Sequence, residues 1–279
     1  MSSNLACVGL AVDDSRDLGF LVDRAMAAAY VVGTFDGVEV RRWQGQSGAA
    51  LVLGWQGRDV VDLLPTFAAT VGGAVADCRL INESVASAAL VDSNGEQLTA
   101  MAFEAEQYRQ MRSMNAPVAG AVRITALGVS VQIHADATAF ALSPDSLLDR
   151  SADPAEEAPA HYIERGFSWP PRVASESFIS HGIFGDPTQS TAHARLSGLV
   201  LSARHRVCEL TGQGFSVARV RTVGFEADLC LSDSEHPTVP QPDNIVSGTV
   251  FLAAAVDAAE LADTRQHKRS VFSRRRSSD

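Results

Sequence analysis

The feature that most constrains this sequence is a long series of short apolar runs separated by residues that favour turns. From residue 75 onward, glycine, proline, asparagine or aspartate bounds nearly every such run. Runs of this length with turn signals at both ends are typical of strands in a sandwich or barrel. The predicted strands are 75–81, 84–91, 97–106, 118–125, 129–134, 196–207, 215–223, 226–231 and 245–256. The sequence therefore predicts a predominantly β fold of the α+β class.

The chain opens on a different pattern. The short apolar run at 5–12 predicts a buried strand, and a helix is expected after it, with Ser15 as its N-cap. Strands are predicted at 38–43 and 50–55. This strand–helix–strand–strand order resembles half of a glyoxalase-type βαβββ module. Enzymes of that type take metal ligands from His and Glu, whereas the first histidine here is His134, so we expect no metal.

Residues 195–256 carry a second resemblance. In chain order they contain the segments LSGLV at 196–200, RHR at 204–206, TGQGF at 211–215, RVR at 219–221 and DNIVSGTV at 243–250. This series resembles an OB-fold of the nucleic-acid-binding type. The resemblance implies a small barrel, in which three strands form a meander and two more close it.

The middle of the chain contains two partial matches to this stretch. The hairpin at 94–98 is similar to 212–215, and 117–122 is similar to 245–250. The offsets are 215 − 97 = 118 and 248 − 120 = 128 residues, and a longer loop in the second copy accounts for the difference. An internal duplication is therefore one interpretation, and chance similarity of short β segments is the other.

A change of composition divides the chain. Residues 143–160 contain three prolines and five acidic residues against one arginine, which is typical of a linker. The predicted domains are an N-terminal α+β domain at 1–142 and a C-terminal OB-like domain at 161–256. A short helix and a basic tail are predicted at 257–279. The part at 265–279 carries six basic groups and one acid, so that part is +5 and the remaining chain −15.

Four arginines form the candidate binding residues: Arg204, Arg206, Arg219 and Arg221. Each pair has the spacing of two that puts side chains on one face of a strand. If the two strands form a hairpin, the four guanidinium groups lie on one sheet surface, where an anion or a nucleic-acid strand would bind. Glu226 and Asp228 have the same spacing on the next strand and could instead neutralise the arginines.

Two further patterns contain residue types that can act in catalysis. Glu104 and Glu106 are predicted on one strand face, where a solvated role is favoured over acid–base work. His181 lies close in sequence to Ser180 and Glu176, but triad members usually come from separate loops. A packed or surface histidine is therefore favoured. Catalytic residues stay unassigned.

Several function classes are disfavoured. The net charge of −10 argues against non-specific nucleic-acid binding. Lys268 is the one lysine, and no P-loop motif occurs, so P-loop phosphoryl transfer is not expected. The four cysteines have no close spacing and lie in apolar runs, which predicts buried, reduced thiols without a metal.

The sequence favours a non-enzymatic binding or scaffolding protein with another protein as its partner and without a cofactor. One alternative is single-stranded nucleic-acid binding by the OB-like region, and another is an enzyme with a site between the domains. Because no signal peptide or membrane span is recognisable, we expect a cytoplasmic location. The excess of arginine over lysine, with many Ala and Val, predicts a bacterial source.

Overall fold

The computed structural model describes residues 3–149, 157–259 and 261. In this part the α-helices are α1 (Ser15–Ala28), α2 (Tyr108–Met114), α3 (Ala137–Leu142) and α4 (Ala160–Arg165). The strands are β1 (Tyr30–Phe35), β2 (Val38–Gln44), β3 (Ala49–Gln56), β4 (Asp59–Phe67), β5 (Gly72–Leu80), β6 (Val85–Val91), β7 (Gln97–Ala105), β8 (Val118–His134), β9 (Ser177–Ser180), β10 (His193–Val207), β11 (Gly214–Thr222), β12 (Phe225–Ser232) and β13 (Ile245–Asp257). The prediction of a predominantly β, α+β fold is confirmed.

The chain begins with a short helical turn followed by α1. The predicted strand at 5–12 is wrong, because Ala6–Val8 form a 3-10 helix that ends at Gly9 in the left-handed conformation. This segment is nevertheless buried, as its apolar composition requires. The N-cap of α1 is Asp14, whose carboxylate accepts hydrogen bonds from the backbone N–H groups of the first helical turn.

A four-stranded antiparallel sheet follows, in the order β1–β2–β3–β4. Asp36 and Gly37 form the turn between β1 and β2, and both have positive φ, as a two-residue hairpin requires. The sequence predicted β2 and β3, whereas β1 and β4 on either side of them were not predicted. The first unit is therefore a helical segment with four strands, rather than strand–helix–strand–strand.

The remaining strands form one nine-stranded sheet that closes into two rings. The first ring runs β5–β6–β7–β13–β8 and returns to β5. The second ring runs β10–β11–β12–β8–β13 and returns to β10. In each ring three consecutive strands form an antiparallel meander, and β8 and β13 belong to both rings.

The pairing of β8 with β13 joins the two rings. It is antiparallel and extends from Ile245 opposite His134 to Asp257 opposite Ala121. Gly120 and Gly248 allow close approach at this seam. A Cβ atom would lie 2.3 Å from the carbonyl oxygen of Asp257 at Gly120 and 2.0 Å from that of Ser130 at Gly248.

Two buried clusters stabilise these layers. One contains residues of both meanders and of β8 and β13, so the two rings share a continuous core. The other lies between the four-stranded sheet, the N-terminal segment and the outer face of the second ring. The four cysteines are free thiols buried in these clusters, as predicted.

The predicted division at 143–160 does not separate two sheets. The segments 1–142 and 161–256 contribute strands to the same nine-stranded sheet and to the same core. Within the predicted linker, Leu147 is buried and bridges to Arg172, whereas 150–156 lie outside the described residues. The basic part of the predicted tail, 265–279, also lies outside them. None of the helices in the described ranges is long and apolar enough to cross a membrane.

Candidate functional site

A polar cleft lies between the four-stranded sheet and the strands that the two rings share. It has a volume of about 400 Å³. Its polar lining residues are Tyr30, Arg42, Gln44, Glu106, Gln107 and Arg123. Its apolar lining residues are Val31, Val32, Val52, Phe67, Ala68, Ala69 and Ala255. Polar groups from two sheets thus converge on one apolar-walled space, which is the usual form of a small-molecule site.

Strand register explains why these side chains face the same space. Tyr30 is paired with Arg42, and Arg42 is paired with Val52, so the three side chains share one face of the four-stranded sheet. Across the cleft, Ala255 is paired with Arg123 in the seam between β13 and β8. The cleft is therefore built from two cross-strand rows that face each other.

An ion pair between Arg42 and Glu106 crosses the base of the cleft. Arg42 Nε donates to Glu106 Oε2 at 2.9 Å, and Arg42 Nη2 lies 3.5 Å from Oε1. Only 13% of the Arg42 side chain and 8% of the Glu106 side chain are exposed. Burial lowers the pKa of Arg42, but Glu106 and Tyr30 outweigh it and the pKa is raised overall. The guanidinium group of Arg42 therefore stays charged and is paired with the carboxylate of Glu106.

Most acceptor atoms of the other polar groups in the cleft already accept hydrogen bonds from within the protein. Thr66 Oγ1 donates to Glu106 Oε1 at 3.1 Å, and Gln44 Oε1 accepts from Arg42 Nη1. Gln107 Oε1 accepts from the backbone N–H of Val256 at 3.0 Å. The carboxamide N–H groups of both glutamines remain as donors.

Arg123 is the more exposed cation of the cleft. Its Nη1 lies 3.8 Å from Asp257 Oδ2, which is an ion pair without a hydrogen bond. The exposed fractions are 46% for the Arg123 side chain and 73% for that of Asp257. Such a pair is weak, because solvent screens it and both side chains keep their freedom.

A second polar cluster closes the neighbouring end of the same interface. Asp62 of β4 bonds to Arg109 and Tyr108 of α2. Burial raises the pKa of Asp62, but these two hydrogen bonds outweigh it and lower the pKa overall. Burial and Asp62 together raise the pKa of Tyr108. This cluster holds the four-stranded sheet against the first ring.

Glu104 and Glu106 are not the solvated carboxylates that the sequence predicted. Glu106 bonds to Arg42 across the sheets, as described above. Glu104 accepts a hydrogen bond from Ser84 at 3.2 Å, and burial raises its pKa, with a smaller contribution from the charge of Asp62. The prediction failed because β1 to β4, which cover this end of β7, were only partly recognised.

The four candidate arginines lie on the outer face of the second ring, on the paired strands β10 and β11. Directly opposite residues share a face, and Arg204 is opposite Val217 and Arg206 opposite Phe215. Val217 and Phe215 are buried against the N-terminal segment. We call the surface formed by Arg204, Arg206, Arg219 and Arg221 the arginine face. One end of this face is therefore already covered by the N-terminal segment.

Two of the four arginines have acidic partners. Arg221 forms two hydrogen bonds with Glu176, at 2.8 and 3.0 Å, which lower the pKa of Glu176. Arg219 lies 3.9 Å from Glu226 and donates to Thr70 Oγ1 at 3.2 Å. Asp228, the other predicted partner, instead accepts from the backbone N–H of Thr70 at 2.8 Å.

The other two arginines have no acidic partner among the residues that the structure describes. Arg204 is exposed, and the Nε atom of Arg206 is buried without a hydrogen bond.

The groups around His181 do not form a catalytic arrangement. Ser180 is buried and its hydroxyl accepts a hydrogen bond from the backbone N–H of Ala102 at 2.9 Å. Glu176 is occupied by Arg221, and His181 is exposed. Within 3–149, 157–259 and 261, no group of three His, Cys, Asp or Glu side chains is arranged to hold a metal ion.

No sequence pattern indicated the cleft residues Arg42, Gln107 and Arg123. Arg42 and Glu106 are 64 residues apart, and no local pattern pairs them. The one available signal is Arg42 itself. It is a charged residue at the alternate strand position that Val38 and Val40 occupy with apolar side chains. Comparisons of this chain with protein-family models, with curated proteins and with solved structures find no match.

Proposed function

We propose that this protein is a non-enzymatic binding protein that holds a small molecule in the cleft between the two sheets. The observation that carries the proposal is the cleft itself. About 400 Å³ of space is bounded by apolar side chains on both sheets and by polar groups at fixed positions. Clefts of this size between packed layers are the usual ligand sites of proteins.

The chemistry of the lining supports binding rather than catalysis. Among the described lining residues there is no Ser, Cys, His or Lys. The one carboxylate, Glu106, already accepts hydrogen bonds from Arg42 and Thr66. A general base needs an acceptor within reach of the substrate proton, and here that acceptor is occupied. An enzyme with a site between the predicted domains remains the alternative, and this cleft is where its substrate would bind.

Filling the cleft tests this proposal. Ala255→Phe and Ala68→Phe each put a ring into it, and Ala74→Phe, on an exposed position of β5, is the control. The probe is the uncharged dye N-phenyl-1-naphthylamine, followed by fluorescence. We expect binding by the wild type and by Ala74→Phe, and its loss in both cleft variants with unchanged melting temperatures. Undiminished binding by both folded cleft variants would refute the proposal.

We also propose that each ring is OB-like and that the chain contains an internal duplication. Each ring has a three-strand meander closed by two further strands, as in that fold. Ala253 lies opposite Thr125, and 253 − 125 = 128. Val250 lies opposite Gly128, and Val256 lies opposite Val122. Adding 128 to Val122 and Gly128 gives Val250 and Val256, so the repeat converts one pair into the other. The same number separates Gly120 from Gly248.

The first strands of the two meanders pair with equivalent glycines of β8 and β13. Val75 lies opposite Gly120 in the first ring, and Leu196 lies opposite Gly248 in the second. The other sequence match, Gln97 with Phe215, compares the third strand of one meander with the second strand of the other, so it lies outside the proposed repeat.

Single-stranded nucleic-acid binding is the second candidate function. It is favoured by the position of four arginines on the outer face of an OB-like meander and by the lack of described partners for Arg204 and Arg206. It is disfavoured by the acidic partners of Arg219 and Arg221 and by the net charge of −10. A protein partner, a cytoplasmic location and a bacterial source remain predictions.

A further inference from the structure

We infer that the ligand of the cleft is an amphipathic monoanion, an apolar body that ends in a carboxylate or a comparable single anionic group, and that Arg123 binds this group. The inference rests on the proposed function and specifies its ligand. It follows from which hydrogen-bonding atoms in the cleft are occupied, from the charges that remain, and from where the apolar wall lies.

The acceptor atoms of the cleft are used within the protein, whereas donors are left over. Both carboxylate oxygens of Glu106 accept from Arg42, and the side-chain oxygens of Gln44 and Gln107 accept from Arg42 and from the backbone. The amide N–H groups of the glutamines, the guanidinium group of Arg123 and the hydroxyl of Tyr30 remain. A ligand that complements this set has to supply acceptors.

The charges of the cleft favour an anionic acceptor. Arg42 and Glu106 cancel each other at its base. Arg123 adds one positive charge, which Asp257 offsets only across 3.8 Å and through solvent. A ligand anion can approach Arg123 more closely than Asp257 does and can form the hydrogen bonds that this ion pair lacks. One cation without a close partner matches one negative charge.

The apolar wall requires a body as well as a charge. Val31, Val32, Val52 and Phe67 border the cleft on the side of the four-stranded sheet, and Ala255 lies directly opposite Arg123 in the seam. Burying an apolar body against these side chains contributes binding free energy in proportion to the apolar area removed from water. An inorganic anion alone would leave this wall exposed.

The test compares two dyes that differ in charge. 8-Anilinonaphthalene-1-sulfonate has the fused-ring body of N-phenyl-1-naphthylamine and adds one anionic group. Binding of each is measured by fluorescence titration to the wild type, to Arg123→Gln and to Asp257→Asn. The control is Arg219→Gln, because Arg219 is similarly exposed and also has an acidic partner beyond hydrogen-bond distance, but it lies on the arginine face.

We expect the wild type to bind the anionic dye about tenfold more tightly than the neutral one, as one charge-assisted hydrogen bond provides. Arg123→Gln should abolish this preference and leave the affinity for the neutral dye unchanged. Asp257→Asn should increase the affinity for the anionic dye, and Arg219→Gln should change neither affinity. Octanoate should displace the dye, whereas 1-octanol should do so less effectively and inorganic phosphate should not.

The results separate this inference from the proposed function. Equal binding of both dyes, lost in Ala255→Phe but unaffected by Arg123→Gln, would refute the anionic ligand and leave the cleft as a binding site. Displacement by inorganic phosphate as effectively as by octanoate would also refute the amphipathic ligand. If neither dye depends on the cleft variants, the proposed function itself fails.

Discussion

Arg42 Nε of β2 lies 2.9 Å from Glu106 Oε2, just beyond β7, and this buried ion pair joins the four-stranded sheet to the first ring. The pair forms the base of the candidate cleft and fixes two of its polar groups. Because the two charges satisfy each other, they orient the neighbouring side chains without presenting a free carboxylate to a ligand. The geometry of the cleft therefore depends on this contact.

Removal of Arg42 should destabilise the protein strongly. In Arg42→Ala the Glu106 carboxylate stays buried, and among the described residues only Thr66 remains as a side-chain partner. Breaking such a buried pair costs about 3 kcal/mol. The control is Arg41→Ala on the same strand, whose partner Glu39 is about one-third exposed, and it should cost less than about 1 kcal/mol. Urea unfolding measures both. A similar loss in the two variants would show that the buried pair has no special role.

Glu104→Gln should change how stability depends on pH. Burial raises the pKa of Glu104 above its ordinary value, so the folded state binds the proton more tightly than the unfolded state. The ionised carboxylate therefore costs stability as pH rises through the folded-state pKa. The variant should be more stable than the wild type at pH 7 and show no such advantage below about pH 4. Thermal melts across this range test it, with exposed Glu96→Gln as the control.

Gly248→Ala should destabilise the seam between β8 and β13. An added Cβ atom would lie 2.0 Å from the carbonyl oxygen of Ser130, so the strands would have to separate locally. We expect a loss of about 2 kcal/mol, typical of overpacking. Gly19→Ala is the control, because no atom of another residue lies within contact distance and the position is helical. That variant should gain up to about 1 kcal/mol. Equal melting temperatures of the two variants would contradict the close approach at Gly248.

Cleavage between the predicted domains should not separate them. A protease recognition sequence placed within 150–156 allows the chain to be cut once. We expect two bands on a denaturing gel but one species in native size-exclusion chromatography, because β13 pairs with β8 and β7, and β12 pairs with β8. Two species that separate and remain folded would instead support the division into domains 1–142 and 161–256.

The arginine face should not bind single-stranded nucleic acid. Labelled oligonucleotides at about 50 mM salt, where phosphate contacts are strong, provide the test by fluorescence anisotropy. Arg219→Ala with Arg221→Ala should lower stability only slightly, since both ion pairs are partly exposed and solvent screens them. Binding whose salt slope falls by about 1.4 in this double variant would reverse our preference, because each lost phosphate contact accounts for about 0.7.

The sequence by itself determined the local elements of this protein. Alternating and continuous apolar runs located most strands after residue 75. The apolar surroundings of the four cysteines predicted their burial. Each of these features depends on residues that are close along the chain, where periodicity and turn preferences act directly.

Only the tertiary structure decided which strands pair and where charges meet. The pairing of β8 with β13, the ion pair of Arg42 with Glu106 and that of Arg221 with Glu176 each join distant parts of the chain. Such contacts depend on the register between strands and on which faces of two sheets meet. A single-residue shift would turn every side chain to the other face, so the local sequence carries no record of these partners. The cleft therefore exists only because the two sheets pack against each other.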